Sequence, residues 1–274
     1  MKQQIKQSFK KYALSNKNFD SWNQPTEYEH GRRFANIVSQ NPSKFLNFIE
    51  EIITDFTISN TYIVKALEGL KEGEIQTEKL IELFCKTIAS RTFQKENTLY
   101  LIWLTRYFSE NKKSDDRVIK FLENNIKIGN EGRNNLEDDL ARGINSVRGA
   151  AASAIIDYTF SETYFDFICI SLETLVNNSK PSTRAAAVYK MQYLLQHDKD
   201  RVMELFLELA NDFHPAILKV SINPLQYLIN HNDLLSSSYL YLLVQRNHPY
   251  RLSPNHPDQQ KSKCHHCYPI FLWG

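Results

Sequence analysis

The stretch SVRGAAASAI (residues 146–155) recurs in altered form as STRAAAVYKM (182–191) and ILKVSINPLQ (217–226). One basic residue holds the same place in each segment, with spacings of 36 and then 35 residues: Arg148, Arg184 and Lys219. In the first two segments this residue opens a run rich in alanine, which favours a helix with a small-residue face. The regular spacing indicates a repeated structural unit.

Each later copy follows an amphipathic segment, at about 163–176 and 200–210, and a short turn rich in Asn, Asp and Pro. The unit is therefore a helix pair of about 35 to 40 residues. Such a pair cannot bury its apolar face alone, so successive pairs must stack into a solenoid. Small residues then allow the inner helices to approach their neighbours closely.

Helical periodicity also runs through the first half of the chain. The clearest stripe has spacings of i, i+3, i+4, i+7, i+8 and i+11, and consists of Phe45, Phe48, Ile49, Ile52, Ile53 and Phe56. A later stripe consists of Leu99, Ile102, Trp103 and Tyr107. No run of comparable length alternates with period two, so we predict an all-α fold. Its expected architecture is an α-solenoid of antiparallel helix pairs with an irregular C-terminal tail.

Glycine is scarce, with 8 residues in a chain of 274, where average usage gives roughly 19. Rossmann domains, P-loop domains and β-sandwiches need many tight turns and phosphate-binding loops, which consume glycine. The shortage argues against all three, and from 150 to 273 the chain has no glycine at all. Its turns there are built from Asn, Asp, Ser and Pro instead.

Charge is unevenly distributed and suggests three segments. Residues 1–20 carry a net charge of +4 and residues 245–274 a net charge of +3, whereas the body between them has 24 basic and 29 acidic side chains. We predict a basic N-terminal segment at 1–25, a helical repeat domain at 26–245, and an irregular, disordered tail at 246–274. An acidic body disfavours wrapping of nucleic acid, and solvated ends are the simpler interpretation of the basic termini.

The repeat pattern resembles HEAT repeats, which are antiparallel helix pairs of α-solenoids. GINSVRGAAASAI (143–155), with the segment at 183–209, further resembles the C-terminal helical region of large bacterial STAND-like ATP-binding proteins, many of them linked to antiviral defence. GRRFANIVSQNP (31–42) and LIWLTRYFSE (101–110) fit the same region. The resemblance spans about 30–235 and implies a sensor or scaffold role. The NTPase core is missing, because no G-x-x-x-x-G-K-[ST] motif occurs.

No catalytic motif is present in the sequence: H-E-x-x-H, G-x-S-x-G and G-x-G-x-x-G are all missing. We therefore expect a non-catalytic interaction module, stand-alone or truncated, whose partner is another protein, with an NTPase subunit as one candidate. The alternative is a nucleic-acid-binding repeat protein, glycosylase-like in one version. No run of 18 apolar residues occurs, so no membrane span is expected, and the cysteine usage favours a reducing cytoplasm.

The three repeated basic residues have two interpretations. In the structural one, each side chain ties adjacent repeats together through carbonyls or carboxylates. In the binding one, Arg148, Arg184 and Lys219 line one groove and contact phosphate or an acidic peptide. The sequence leaves both open.

The tail also has two interpretations. Four side chains have ligand chemistry and spacing compatible with zinc: His248, His256, Cys264 and Cys267. One C-x-x-C without a second pair is a weak motif. The simpler prediction is a disordered or frame-disrupted end without a cofactor, because repeat arrays normally finish with a capping helix.

Overall fold

The computed structural model describes residues 2–15, 26–129, 139–211 and 214–230. These residues form α-helices and short 3₁₀ turns and contain no strand, which confirms the all-α prediction. The helices are α1 (Lys2–Ser15), α2 (Glu27–Gln40), α3 (Pro42–Thr54), α4 (Asn60–Glu72), α5 (Thr77–Ser90), α6 (Lys95–Glu110), α7 (Asp116–Ile128), α8 (Asp139–Ile144), α9 (Val147–Ile156), α10 (Phe165–Asn178), α11 (Pro181–Val188), α12 (Lys199–Leu209) and α13 (Pro215–Asn230). The 3₁₀ turns are Asp157–Phe160, Glu162–Tyr164 and Met191–Tyr193.

The helix contacts follow two series. Layer A, as we name it, consists of α2, α4, α6, α9, α11 and α13, each of which packs against the next. Layer B consists of α3, α5, α7, α10 and α12, which contact one another in the same sequential way. The layers also pack together, for example α7 on α9 and α10 on α11. One cluster of buried apolar side chains runs through both layers, from Phe9 to Val220.

Local signals explain where several helices begin. Thr26 and Glu29 form a capping box at the start of α2, in which each side chain bonds the backbone N–H of the other residue. Asp115 and Asp198 cap α7 and α12 with their carboxylates. Pro42, Pro181 and Pro215 each occupy a first-turn position, where a missing N–H costs nothing.

The helices α9 and α11 carry the small residues that the repeat pattern singled out. The side chains of α9 are buried throughout, and the alanines at 150–152 and 185–187 are fully enclosed. Close approach is tightest where α8 meets α11, because a Cβ on Gly143 would lie 1.8 Å from the carbonyl oxygen of Ser182. The backbones therefore pack more closely than any larger residue would allow.

The basic N-terminal segment is not a solvated extension over its described part. Phe9 of α1 is buried, and its ring stacks on Tyr62 with 4.0 Å between centroids. The same ring contacts Phe34 edge to face. The interpretation as a solvated end was wrong here, because an apolar face of α1 packs on α2 and α4.

His30 joins α1 to α4 and makes this junction sensitive to pH. Its Nε2 lies 3.1 Å from the Ser8 hydroxyl and its Nδ1 lies 3.1 Å from the Tyr62 hydroxyl. Burial lowers the pKa of His30 below its usual value, and the positive charge of Arg33 adds to the shift. The imidazole is therefore neutral in the folded protein at neutral pH.

We expect the free energy of unfolding to decrease as pH falls below about 6.5, because the unfolded chain then binds a proton that the folded chain resists. Urea unfolding at about pH 7.5 and about pH 5.5 measures the effect. His30→Gln, which cannot titrate, should lose less stability across this interval. Equal losses in the two proteins would contradict the assignment.

Candidate functional site

The two repeated arginines lie inside the helix packing. Arg148 on α9 is buried, and its Nε donates to the carbonyl of Ile126 at 2.7 Å, while Nη1 donates to the carbonyl of Asn178 at 2.5 Å. These carbonyls belong to the last turns of α7 and α10, so one guanidinium connects three helices. Arg184 on α11 is also buried, whereas Lys219 on α13 is exposed. The contacts of Arg148 agree with the structural interpretation; the binding interpretation stays a prediction.

Arg91 plays the same part at the end of α3, and sequence reasoning missed it. Its guanidinium donates to four backbone carbonyls and one side-chain oxygen, those of Ile52, Ile53, Asp55, Ile58 and Asn60. Cationic side chains stabilise helix C-termini, where carbonyls lack intrahelical partners. No repeat marks Arg91 in the sequence, so periodicity alone does not reveal it.

A buried lysine on α4 contacts aromatic and acidic side chains of layer A. Lys65 on α4 is 2% exposed, and its Nζ lies 4.6 Å and 4.3 Å from the ring centroids of Tyr28 and Tyr100. The two tyrosine hydroxyls share a hydrogen bond of 2.8 Å, and Glu68 accepts a hydrogen bond of 2.5 Å from Lys65. Burial alone would lower the pKa of Lys65, but its hydrogen bond to Glu68 and the charge of that carboxylate outweigh burial and raise it.

Next to this lysine, α6 presents an aromatic strip, by which we mean Tyr100, Trp103 and Tyr107. Trp103 is 38% exposed and meets the ring of Tyr100 edge to face at 5.3 Å. Between α4 and α6 lies an open cavity of about 150 Å³, lined by Val64, Glu68, Lys71, Tyr100, Leu101, Trp103 and Leu104. The strip therefore borders a groove with an apolar floor and a charged rim.

A polar cluster adjoins the strip on its other side. Asp157 accepts a hydrogen bond from Lys190 and forms a longer ion pair of 4.0 Å with Nε of Arg106. Burial lowers the pKa of Lys190, and Asp157 opposes this shift. Two cations thus share one carboxylate, and one of them, Arg106, lies one turn of α6 after Trp103.

Layer B presents a different surface, because ion pairs join its neighbouring helices. Glu50 of α3 contacts Lys79 and Lys86 of α5 at 3.2 and 3.3 Å, and both lysines also pair with Glu82. These lysines lower the pKa of Glu82 to about 2. Arg201 of α12 similarly pairs with Asp166 and Glu173 of α10. The charges of this surface are largely matched within the chain, whereas layer A exposes aromatic rings.

The described residues give no indication of metal or thiol chemistry. No group of three or more His, Cys, Asp or Glu side chains is placed to hold a metal within the described ranges. Cys85 and Cys169 are buried, and burial raises their pKa values to about 12 and about 11. Such thiols are poor nucleophiles at neutral pH. The predicted zinc ligands His248, His256, Cys264 and Cys267 all lie outside the described residues.

Two further observations bear on what the chain is. Among the helices that the structure describes, none combines the length and the apolar character that crossing a bilayer requires. Searches against protein-family models, curated proteins and solved structures found no match to the chain. The resemblance to HEAT repeats and to the STAND-like proteins accordingly stays a prediction.

Proposed function

We propose that this chain is a non-catalytic protein-interaction module, built as an α-solenoid of antiparallel helix pairs. The solenoid proposal is supported by the sequential contacts within layer A and within layer B, which are those expected of stacked helix pairs. The short helix α8 belongs to neither series and packs on α11 and α13. The repeat of buried small residues in α9 and α11 supports it as well. HEAT-like architecture and kinship to the helical region of bacterial defence-type NTPases belong to the same proposal, as does action in the cytoplasm.

The observation that carries the binding function is the difference between the two surfaces. Layer B matches its charges internally, and exposed ion pairs of this kind add little to affinity for a partner. Layer A exposes Tyr28 and Trp103 together with Leu218 and Ile222, and the chain directly after α11 adds Tyr189 and Tyr193. The exposed apolar side chains on the helices of layer B, Ile128 and Ile170, are aliphatic. Tyrosine and tryptophan are enriched at the energetic centres of protein interfaces. We therefore assign the partner-binding surface to layer A.

A selection from a library of random linear peptides tests this assignment. Peptides enriched on the wild-type protein should lose at least about tenfold in affinity for Trp103→Ala. The matched control is Ile170→Ala, which removes an exposed apolar side chain from α10 in layer B and should change affinity by less than about twofold. Equal losses in the two variants, or no enriched peptide, would contradict the proposal.

The alternative, binding of single-stranded nucleic acid, is favoured by one observation: cationic Lys71 and Arg106 flank the aromatic strip, a combination that also stacks and neutralises nucleotides. Fluorescence anisotropy with labelled oligonucleotides at about 50 and about 200 mM salt separates the two functions. The interaction module predicts no salt-sensitive binding in the micromolar range. Binding that weakens steeply with salt and with Arg106→Glu would favour the alternative.

A further inference from the structure

The cavity between α4 and α6 has the size of a single large side chain. Its volume is about 150 Å³, and its floor is formed by Val64, Leu101 and Leu104. An apolar cavity of about this volume holds a benzene molecule. A leucine or phenylalanine side chain from a partner therefore fits, provided that the walls need not move.

The walls are already fixed in the free protein. Tyr100 is held from one side by the hydroxyl of Tyr28 and by the ammonium group of Lys65, and it in turn contacts the edge of Trp103. These contacts connect α2, α4 and α6. A binding surface that is ordered beforehand loses less conformational entropy on association, so more of the contact energy appears as affinity.

The charges next to Trp103 have a positive excess. Glu68 is neutralised by Lys65, whose Nζ lies 2.5 Å away. Lys71 forms no ion pair with a described carboxylate; its Nζ lies 5.8 Å from the ring centroid of Tyr107. Arg106 follows Trp103 by one turn and shares Asp157 with Lys190. Lys71 is therefore the least matched cation of the cavity lining, while Asp157 and Glu110 partly match the charges of Arg106 and Lys190 beyond it.

This excess is confined to a short length of the surface. Glu96 and Glu110 are exposed on α6 and lie seven residues before and after Trp103, on the same side of the helix. Seven residues correspond to about 10 Å along the helix axis. Acidic groups are therefore favoured within about one helical turn of the cavity and disfavoured beyond it.

We infer that the groove between α4 and α6 binds a short acidic peptide segment of a partner protein, with one large apolar side chain of that segment inside the cavity beside Trp103. The inference rests on the proposed function and specifies its partner chemistry. Lys71 and Arg106 attract the acidic residues that flank the anchor, and Val64, Leu101 and Leu104 bury the anchor itself.

The test uses the full chain with Trp22→Phe and Trp273→Phe, so that Trp103 is the sole tryptophan. The probes are three synthetic peptides containing Asp-Asp-Leu-Asp-Asp, the same segment with Ala in place of Leu, and the same segment with Lys in place of every Asp. Titration calorimetry measures affinity and the emission of Trp103 reports the place of binding. The first peptide should bind and shift the emission, the second should bind at least about tenfold more weakly, and the third should not bind.

Lys71→Glu should lower the affinity of the protein for the acidic peptide by at least about tenfold. Lys44→Glu is the matched control, since Lys44 is an exposed lysine of α3 on the opposite layer; the same charge change there should alter affinity by less than about twofold. Thermal unfolding shows whether both variants keep the wild-type fold, as expected for exposed positions.

Three outcomes would overturn the inference: the acidic and lysine peptides bind alike, Lys71→Glu leaves the affinity unchanged, or the emission of Trp103 does not respond. If random-library peptides without acidic residues still bind at Trp103, only this inference fails and the interaction module stands. Tight, salt-sensitive quenching of Trp103 by an oligothymidine would instead assign the groove to single-stranded nucleic acid.

Discussion

Replacing Arg148 by alanine should lower the free energy of unfolding by about 3–5 kcal/mol, because two charge-assisted hydrogen bonds are lost and the carbonyl of buried Ile126 loses this donor. The carbonyls of Ile126 and Asn178 end two different helices, α7 and α10. Domain stabilities are typically about 5–15 kcal/mol, so this single change removes a large share. Urea unfolding followed by circular dichroism measures the loss.

Two companion variants separate support of the fold from contact with a partner. Lys219→Ala, at the equivalent repeat position but exposed, should stay within about 0.5 kcal/mol of wild type. Arg148→Lys keeps the charge but cannot donate in two directions with one planar group, so it should recover only part of the loss. Wild-type stability in Arg148→Ala would refute the structural interpretation.

Gly69→Ala should destabilise the protein by about 2–3 kcal/mol, although alanine is the better helix former. A Cβ at this position would lie 2.5 Å from the carbonyl oxygen of Ala35 and 2.9 Å from its Cα. Both are backbone atoms of α2, which cannot turn aside as a flexible side chain does. The helices α2 and α4 must then separate along their contact, and the thermal midpoint should fall accordingly.

Gly31→Ala is the internal control, since Gly31 on α2 faces α4 just as Gly69 on α4 faces α2. A Cβ there would meet Cγ of Lys65 at 3.2 Å, which a small movement of that side chain relieves. Alanine is favoured over glycine in a helix by about 1 kcal/mol, which offsets the cost of moving Lys65. Stability should therefore stay within about 1 kcal/mol of wild type. Similar effects of the two substitutions would show that close backbone approach at Gly69 is not what fixes the pair.

The sequence predicts helices well where an apolar stripe coincides with a packed face. Five of the six residues in the stripe at 45–56 are buried as predicted, but Phe56 is 74% exposed. The reason is local: α3 ends at Thr54, and Asp55 accepts hydrogen bonds from the backbone and hydroxyl of Thr57, which forms a turn. Neither glycine nor proline marks this end, so periodicity continues in the sequence after the helix has stopped.

The candidate site was harder to predict, because it depends on which side of a helix stays uncovered. Periodicity placed Trp103 in one stripe with Leu99 and Ile102, yet only the latter two are buried. The helix α6 packs against α4, α5 and α9, which covers most of its circumference and leaves the side of Trp103 open. Long-range helix packing decides this exposure, and no property of the local sequence encodes it.

The repeated arginines show the opposite case, in which sequence located the residues but left their role open. Spacing identified Arg148 and Arg184 as equivalent repeat positions, and both side chains are buried, as equivalent positions should be. Whether an arginine faces carbonyls or solvent depends on where the preceding helices end. Those ends, at Ile128 and Asn178, come from turns whose geometry the repeat pattern does not specify.

Because the two layers are held together differently, the helix array should bend more easily in one direction than in the other. Spreading layer B stretches ion pairs between α3 and α5 and between α10 and α12, and solvent-exposed pairs cost less than about 1 kcal/mol each to break. Compressing layer A instead drives backbone onto backbone at Gly69. The helix array should therefore bend more easily by opening layer B than by compressing layer A. Added salt screens the ion pairs of layer B and should make this bending easier.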